Sequence, residues 1–354
     1  MREFTYTANP GRVVFGEGKI ATLAEEVARL GLSRVLMLST PQQEAQARAV
    51  AGALGGTCVG LFGGAAMHTP VAVTELALAV VTETGADGVV AFGGGSTIGL
   101  GKAIALRTDL PQIAVPTTYA GSEMTPILGE TQGGRKVTQS TSKVLPEVVI
   151  YDVTLTLGLP PALSGTSGIN AIAHAVEALY AQSRNPIISL IAVEGIRALA
   201  RALPRIAERP GDVAARSDAQ YGAWLCGICL GAVGMALHHK LCHTLGGTFE
   251  LPHAETHTIV LPHALAYNAP AVPDAMERLR QALDADDAAA ALFDLAGAVG
   301  AARALRDLGM PEAGIDQAAD LALANPYWNP RALDRDGIRK LLKRAWAGEP
   351  PQQG

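Results

Sequence analysis

Short apolar runs of strand length alternate with helically patterned segments over the first 150 or so residues. Residues 11–18, GRVVFGEG, read as a strand and turn. Residues 19–31 read as an amphipathic helix, with Ile20, Leu23, Val27 and Leu30 at helical spacing. VLMLST (35–40) is a continuous apolar run ending at Pro41, the mark of a strand buried on both faces. A helix over 42–54, a strand CVGLFGG (58–64), a helix from Val71 to Thr84 and a strand GVVAF (88–92) follow. QIAVPTT (112–118) and VLPEVVIYD (144–152) supply two more strands, and the polar, Gly-rich stretch 129–143 reads as a hairpin. This order predicts βαβ units, and so an α/β domain with a doubly wound parallel sheet over residues 1–157.

From LTLGLPPALSGTSG (155–168) onward the period changes. Helical spacing predicts helices near 160–163, 165–182, 186–203, 211–238, 275–300 and 338–346, and no strand. Residues 158–354 are therefore expected to form an all-α second domain.

Composition adds mainly exclusions. The chain has 354 residues, 49% of them hydrophobic and 17% charged, with a net charge of −5. It has no Lys/Arg run, so nucleic acid and anionic membranes are not expected partners. No apolar run reaches the roughly 18 residues of a spanning helix, and MREFTYTANPGRVVFG lacks the apolar stretch of a signal peptide. Cys226 and Cys229 are spaced CxxC but lie in the apolar run AWLCGICLGAVGMAL, where they read as helix core. A reduced, cytoplasmic enzyme is the expectation.

Two stretches carry candidate chemistry. Strand 88–92 runs into GGGSTIGLGK (93–102), with four glycines in the seven positions 93–99. Glycines there let backbone N–H groups approach a phosphate at a helix N-terminus. Ile98 occupies the expected third glycine position of the dinucleotide fingerprint, with Gly99 one residue late. Gly93, Gly94, Gly95 and Ser96 are the candidate pyrophosphate cradle. Thr117, Thr118 and Ser122 follow another strand, where open α/β sheets bind ligands, and are candidate nucleotide contacts. Strand 35–40 ends at Ser39 with no acidic residue to repel a 2′-phosphate, so NADPH is expected to be accepted beside NADH.

The second stretch is HHKLCHTLGGTFELPHAETHTIVLPH (238–263), which holds six of the eight histidines. His239 and His243 are spaced to share a helix face, as are Asn170 and His174 in GINAIAHAVEA. His253 follows the Gly-Gly break, in a segment read as loop. Such convergence suits a divalent metal site or a polar catalytic pocket.

GGGSTIGLGKAIA, PTTYAGSEMTP, GINAIAHAVEAL, the histidine block, LPHALAYN (261–268) and NPR (329–331) together resemble the iron-containing, group III alcohol dehydrogenase superfamily over nearly the whole chain. The resemblance implies a dinucleotide-binding domain, a helical domain, an architecture shared with dehydroquinate synthase, and a homodimer. It also implies a metal (Fe or Zn) held by an Asp and three His. Those positions fall on Asn170, His174, His239 and His253, and His243 falls on a catalytic or proton-relay position. Asn170 is neutral where the family has a carboxylate, so both a metal-bound and a metal-free site stay open.

HHKLCHTLGGTFELPHAETH resembles the maleylacetate reductase branch, with Ala254 and His257 where other members have Gly and Asn. That likeness implies NADH-dependent reduction of maleylacetate, a dicarboxylate, to 3-oxoadipate in aromatic compound degradation, with chloromaleylacetate a further substrate to test. Protonated imidazoles or other donors would stabilise the enolate charge. His174, His239, His253 and Asn170 would line the pocket, with His243 as general acid or enolate stabiliser. His238 and Lys240 would flank it, and His257 and His263 are assigned to packing. The alternative is a metal-dependent alcohol or polyol dehydrogenase of the same superfamily.

Overall fold

The computed structural model describes residues 3–9, 11–133, 135–324 and 327–352. The chain divides into two compact units, Ala8–Leu159 and Met1–Thr7 with Pro160–Gly354. The boundary lies two residues past the expected 157/158. The expectation that the first domain starts at residue 1 is corrected. Phe4 lines a pocket together with Leu179, Arg184, Pro186 and Ser189, and the leading segment belongs with the helices.

The first unit runs β1 (Arg12–Gly16), α1 (Leu23–Arg29), β2 (Val35–Leu38), α2 (Glu44–Gly52), β3 (Cys58–Phe62), α3 (Val71–Thr84), β4 (Gly88–Gly93), α4 (Gly95–Thr108) and β5 (Gln112–Pro116). The hairpin β6 (Ile127–Gln132) and β7 (Arg135–Ser140) and the strand β8 (Val148–Asp152) complete it. Six strands form one parallel sheet in the order β1-β8-β5-β4-β2-β3, and β6 and β7 pair antiparallel on their own.

Successive strand residues point to opposite faces, so each central strand feeds two cores. Val35, Met37, Val90, Phe92, Ile113 and Ile150 pack with Leu23, Val27 and Ala47 of α1 and α2. Leu36, Leu38 and Val89 pack with Ala77, Val81, Leu100 and Ile104 of α3 and α4. Both faces are covered, which is why these strands read as unbroken apolar runs. The chain lays β3 outside β2, then returns to place β4 on the other side of β2. The strand order reverses between β2 and β4, and ligands of open α/β sheets bind at that switch.

The second unit holds α5 (Pro161–Tyr180), α6 (Pro186–Glu208), α7 (Val213–Ala232), α8 (Leu237–Phe249), α9 (His253–Asn268), α10 (Pro273–Leu283), α11 (Ala288–Ala298), α12 (Gly314–Ala324) and α13 (Arg335–Ala347). The helix α5 is buried from Ser164 through Tyr180 and forms the centre of the unit. Three expectations are corrected. The helix expected over 211–238 breaks after Ala232, and Ala236, with φ −129° and ψ −143°, starts a new one. The expected helix 275–300 is two helices. The segment after Pro252, read as a loop, is the helix α9. Cys226 and Cys229 lie buried in α7, as expected, and both are free thiols.

Candidate active site

In the sheet unit the glycine turn joins β4 to α4. Gly93 has φ 151°, and a Cβ there would come within 2.5 Å of Thr97 Oγ1 and 2.9 Å of Gln43 Oε1. A Cβ on Gly94 would meet Thr118 Cγ2 at 2.9 Å. At Gly95, the first residue of α4, a Cβ would have only Ala120 near it, at 3.9 Å. The first two glycines are thus required by neighbouring side chains. The third opens onto free space at a helix N-terminus, where backbone N–H groups favour an anion. Ser96 is half-buried beside it.

The polar residues after β5 close on this turn. Thr117 N donates to Gly93 O at 3.1 Å, and Gln43 Nε2 donates to Thr117 Oγ1 at 2.8 Å. Gln43 is a contact that sequence reading does not single out. Thr118 and Ser122 are half-buried, while the Thr117 hydroxyl is enclosed. Ser39 departs from expectation as a coenzyme contact. Its N–H donates to Phe62 O and its carbonyl accepts from Ala65 N, so it is held inside the sheet. It is fully buried, and its hydroxyl has no hydrogen-bond partner.

In the helical unit three helices bring the histidines together. The helix α5 presents Asn170, His174 and Glu177 at i, i+4 and i+7, α8 presents His238, His239 and His243, and α9 presents His253 and His257. Ring centroids lie 5.1 Å apart for His174 and His239, 5.0 Å for His239 and His257, and 4.1 Å for His253 and His257. His243 sits 6.4 Å from His239. The cluster is layered: Asn170, His174, His238, His239 and His257 are buried, and His243 and His253 are exposed.

Glu177 organises this cluster, and sequence reading does not single it out. Its carboxylate, fully buried, accepts Ala236 N at 2.8 Å and His238 N at 2.9 Å, so it caps α8 and favours its positive dipole end. It also accepts from His239 Nδ1 at 2.7 Å. That bond fixes the tautomer and aims the Nε2 lone pair of His239 away from Glu177, as carboxylate partners of ligating histidines do. Burial pushes the Glu177 carboxyl up, while His238 and the backbone donors pull it back. The helical spacing Asn170–His174–Glu177 in an apolar helix was the available sign of it.

The nitrogens are left open. His174 Nδ1, His239 Nε2, both ring nitrogens of His257 and Asn170 Oδ1 are buried without a hydrogen-bond partner. Burial, and then the neighbouring imidazoles, hold His174, His239 and His257 well below the usual imidazole range. Burial draws His238 down to about 3. Its Nε2 lies 3.0 Å from the His257 carbonyl, so Nε2 carries the proton and Nδ1 the lone pair. The expectation of protonated imidazoles is corrected for these four, because burial keeps them neutral. His257 is also corrected, since it stands inside the cluster and not in packing behind it. Lys240 lies over the Tyr327 ring at 5.5 Å.

His238, His239 and His257 each offer a ring nitrogen within 4.8 Å of the others. Neutral imidazoles with a carboxylate behind one of them fit a divalent cation in donor type. The expected set Asn170, His174, His239 and His253 supplies no carboxylate, and Glu177 faces His239 and the backbone.

Fold and site together define a two-unit dinucleotide enzyme. Residues 10–153 match the family described as iron-containing alcohol dehydrogenase, and residues 164–346 match its C-terminal domain. The chain belongs to the iron-containing alcohol dehydrogenase family. Within it, the chain is 57% identical to the maleylacetate reductase of Rhizobium sp. (strain MTP-10005), covering 99% of this chain and 100% of that one. It also superposes on the crystal structure of maleylacetate reductase from Agrobacterium tumefaciens with TM-score 0.97 and 57% identity, covering 99% and 100% of the two chains. A putative alcohol dehydrogenase from Ralstonia eutropha JMP134 gives TM-score 0.98 at 58% identity, with the same coverage.

Proposed function

We propose that this chain is a maleylacetate reductase, taking NADH, with NADPH also accepted, and reducing maleylacetate to 3-oxoadipate. The observation that carries the reading is the identity of 57% over nearly full length to a maleylacetate reductase, in a chain whose histidine cluster includes His257. The substrate is an enone flanked by two carboxylates. Hydride from the nicotinamide adds to the alkene carbon β to the ketone, and the electron pair of the C=C bond moves onto the ketone oxygen as an enolate. A proton then adds to the α carbon as the carbonyl re-forms. One hydride and one proton are consumed for each NADH oxidised.

The residues divide this work. The turn Gly93–Ser96 holds the pyrophosphate at the N-terminus of α4, and Thr118 and Ser122 contact the nucleotide. His243, exposed and so open to proton exchange with water, is the general acid. The buried neutral imidazoles and Asn170 orient the dianion through N–H donors and amide contacts. His174, His239 and His253, or the neighbouring His238 and His257, would hold a divalent Fe or Zn ion. When bound, such an ion supplies Lewis-acid polarisation of the substrate carbonyl. The active enzyme is expected to be a homodimer in the cytoplasm.

The test is NADH oxidation with maleylacetate, before and after chelator treatment. Turnover that survives chelation supports a mechanism built on the histidines. Turnover lost and restored by Fe²⁺ or Zn²⁺ assigns the ion a working role. No turnover overturns the assignment and favours an alcohol or polyol dehydrogenase.

A further inference from the structure

Lys102, in the third turn of α4, is the last residue of the stretch GGGSTIGLGK and has no part in the chemistry above. It is fully buried. Its ammonium donates to Ser122 O at 2.5 Å, Thr125 O at 2.8 Å, Thr125 Oγ1 at 2.9 Å and Ile127 O at 2.9 Å. Every proton of the ammonium thus has an acceptor, and all the acceptors lie in one short segment, 122–127. The next residue in that segment after Ser122 is tied down separately. Glu123, also buried, accepts from Tyr151 of β8 at 2.8 Å. Burial draws Lys102 down to about 7, and the nearby Glu123 opposes that shift.

The fastened segment is the continuation of the polar loop that closes on the glycine turn. Thr118 and Ala120 are the side chains facing Gly94 and Gly95, and Ser122 is three-residue 3-10 turn start and acceptor at once. We infer that Lys102 is a positioning residue for the coenzyme: it staples the loop after β5 to the helix whose N-terminus receives the pyrophosphate, and so sets coenzyme affinity without touching the coenzyme. An apolar residue of the same length would take the ammonium donor away from the carbonyls of Ser122, Thr125 and Ile127 and free the loop from α4. The inference rests on the placement of the coenzyme at the glycine turn, and the experiment separates the two.

Lys102→Met, Thr125→Val and Gly95→Ala are compared with the parent enzyme by NADH fluorescence titration, by kcat and KM for NADH, and by thermal melting. Lys102→Met should raise the NADH Kd by about tenfold or more, as expected for losing bonds to a charged group. Its kcat at saturating NADH should fall much less than KM rises. Thr125→Val removes one acceptor with little change of shape and should raise Kd by roughly threefold, which keeps the test open if Lys102→Met does not fold. A merely structural lysine would lower the melting temperature and leave the Kd of the folded protein unchanged, and that result overturns the inference. Gly95→Ala meets no protein atom closer than 3.9 Å, so it tests the placement alone. If it binds NADH weakly while Lys102→Met and Thr125→Val bind normally, the placement stands and the inference falls. If it binds NADH normally, the placement falls and the inference with it.

Discussion

The two units differ in how their buried polar groups are gathered. In the sheet unit the buried Lys102 has an acceptor for each proton, and the ligand-facing surface is backbone with small side chains. In the helical unit a set of buried imidazole nitrogens has no protein partner at all. Unpaired buried polar atoms cost about 1–3 kcal/mol each. The helical unit therefore carries, in one cluster, a standing cost that a bound substrate or cation can relieve, whereas the unpaired groups of the sheet unit, such as the Ser39 and Thr97 hydroxyls, are single side chains of several different elements. A coenzyme common to many reactions can be held by backbone at a helix N-terminus. A particular reaction needs donors held open for it.

The sharpest way to break that contrast is His243→Ala. Loss of a general acid should lower kcat by roughly 10² to 10⁴, and near-parental turnover would remove His243 from the mechanism. Glu177→Gln comes next. It keeps the shape but no longer fixes the His239 tautomer, and second-shell changes of this kind cost about 10- to 100-fold in activity. Unchanged kcat would mean that Glu177 serves only as the cap of α8.

The third test is acid stability. Burial draws His263 down to about 4, with Arg344 adding to the effect. The unfolded chain titrates that histidine near 6.5, so below that pH the unfolded state binds the proton and the folded state does not. Stability should therefore fall as pH drops from about 6.5 towards 4, by roughly 3 kcal/mol for this group. The depressed histidines of the cluster act in the same sense. His263→Gln should flatten the melting temperature against pH over that window, and an unchanged slope would refute it. The smallest effect expected is Gln43→Ala. Losing the bond to Thr117 Oγ1 should raise KM for NADH by about two- to fivefold, with kcat unchanged.

The same contrast governs what the sequence makes legible. The glycine turn lies within a few consecutive residues, and the strands around it show as apolar runs because both faces of the sheet are covered. The histidine types were legible, but their arrangement depends on three helices meeting. The helix α9 is buried from Thr256 to Asn268 and contains Pro262, so it shows no amphipathic stripe and carries an apparent breaker. Its absence from the pattern put His253 on a loop and His257 in packing. The break between α7 and α8 has only Gly234 to announce it. Glu177 stands at helical spacing from His174, yet nothing local shows that its carboxylate reaches across to α8.

The position of β1 bears on how the chain is made. The first strand synthesised is an edge strand whose sheet partner is β8, with Arg12 opposite Val148 and Gly16 opposite Asp152. The Asp152 carboxylate also accepts the N–H groups of Gly18 and Ile20. On the ribosome, β2 to β5 can pair as they emerge, while β1 waits without its neighbour until β8 follows. Closing so distant a pair is slow for entropic reasons. The docking of the earliest strand onto the latest is therefore the natural final step in assembling the sheet, and a nascent chain stalled before residue 148 would carry β1 unpaired.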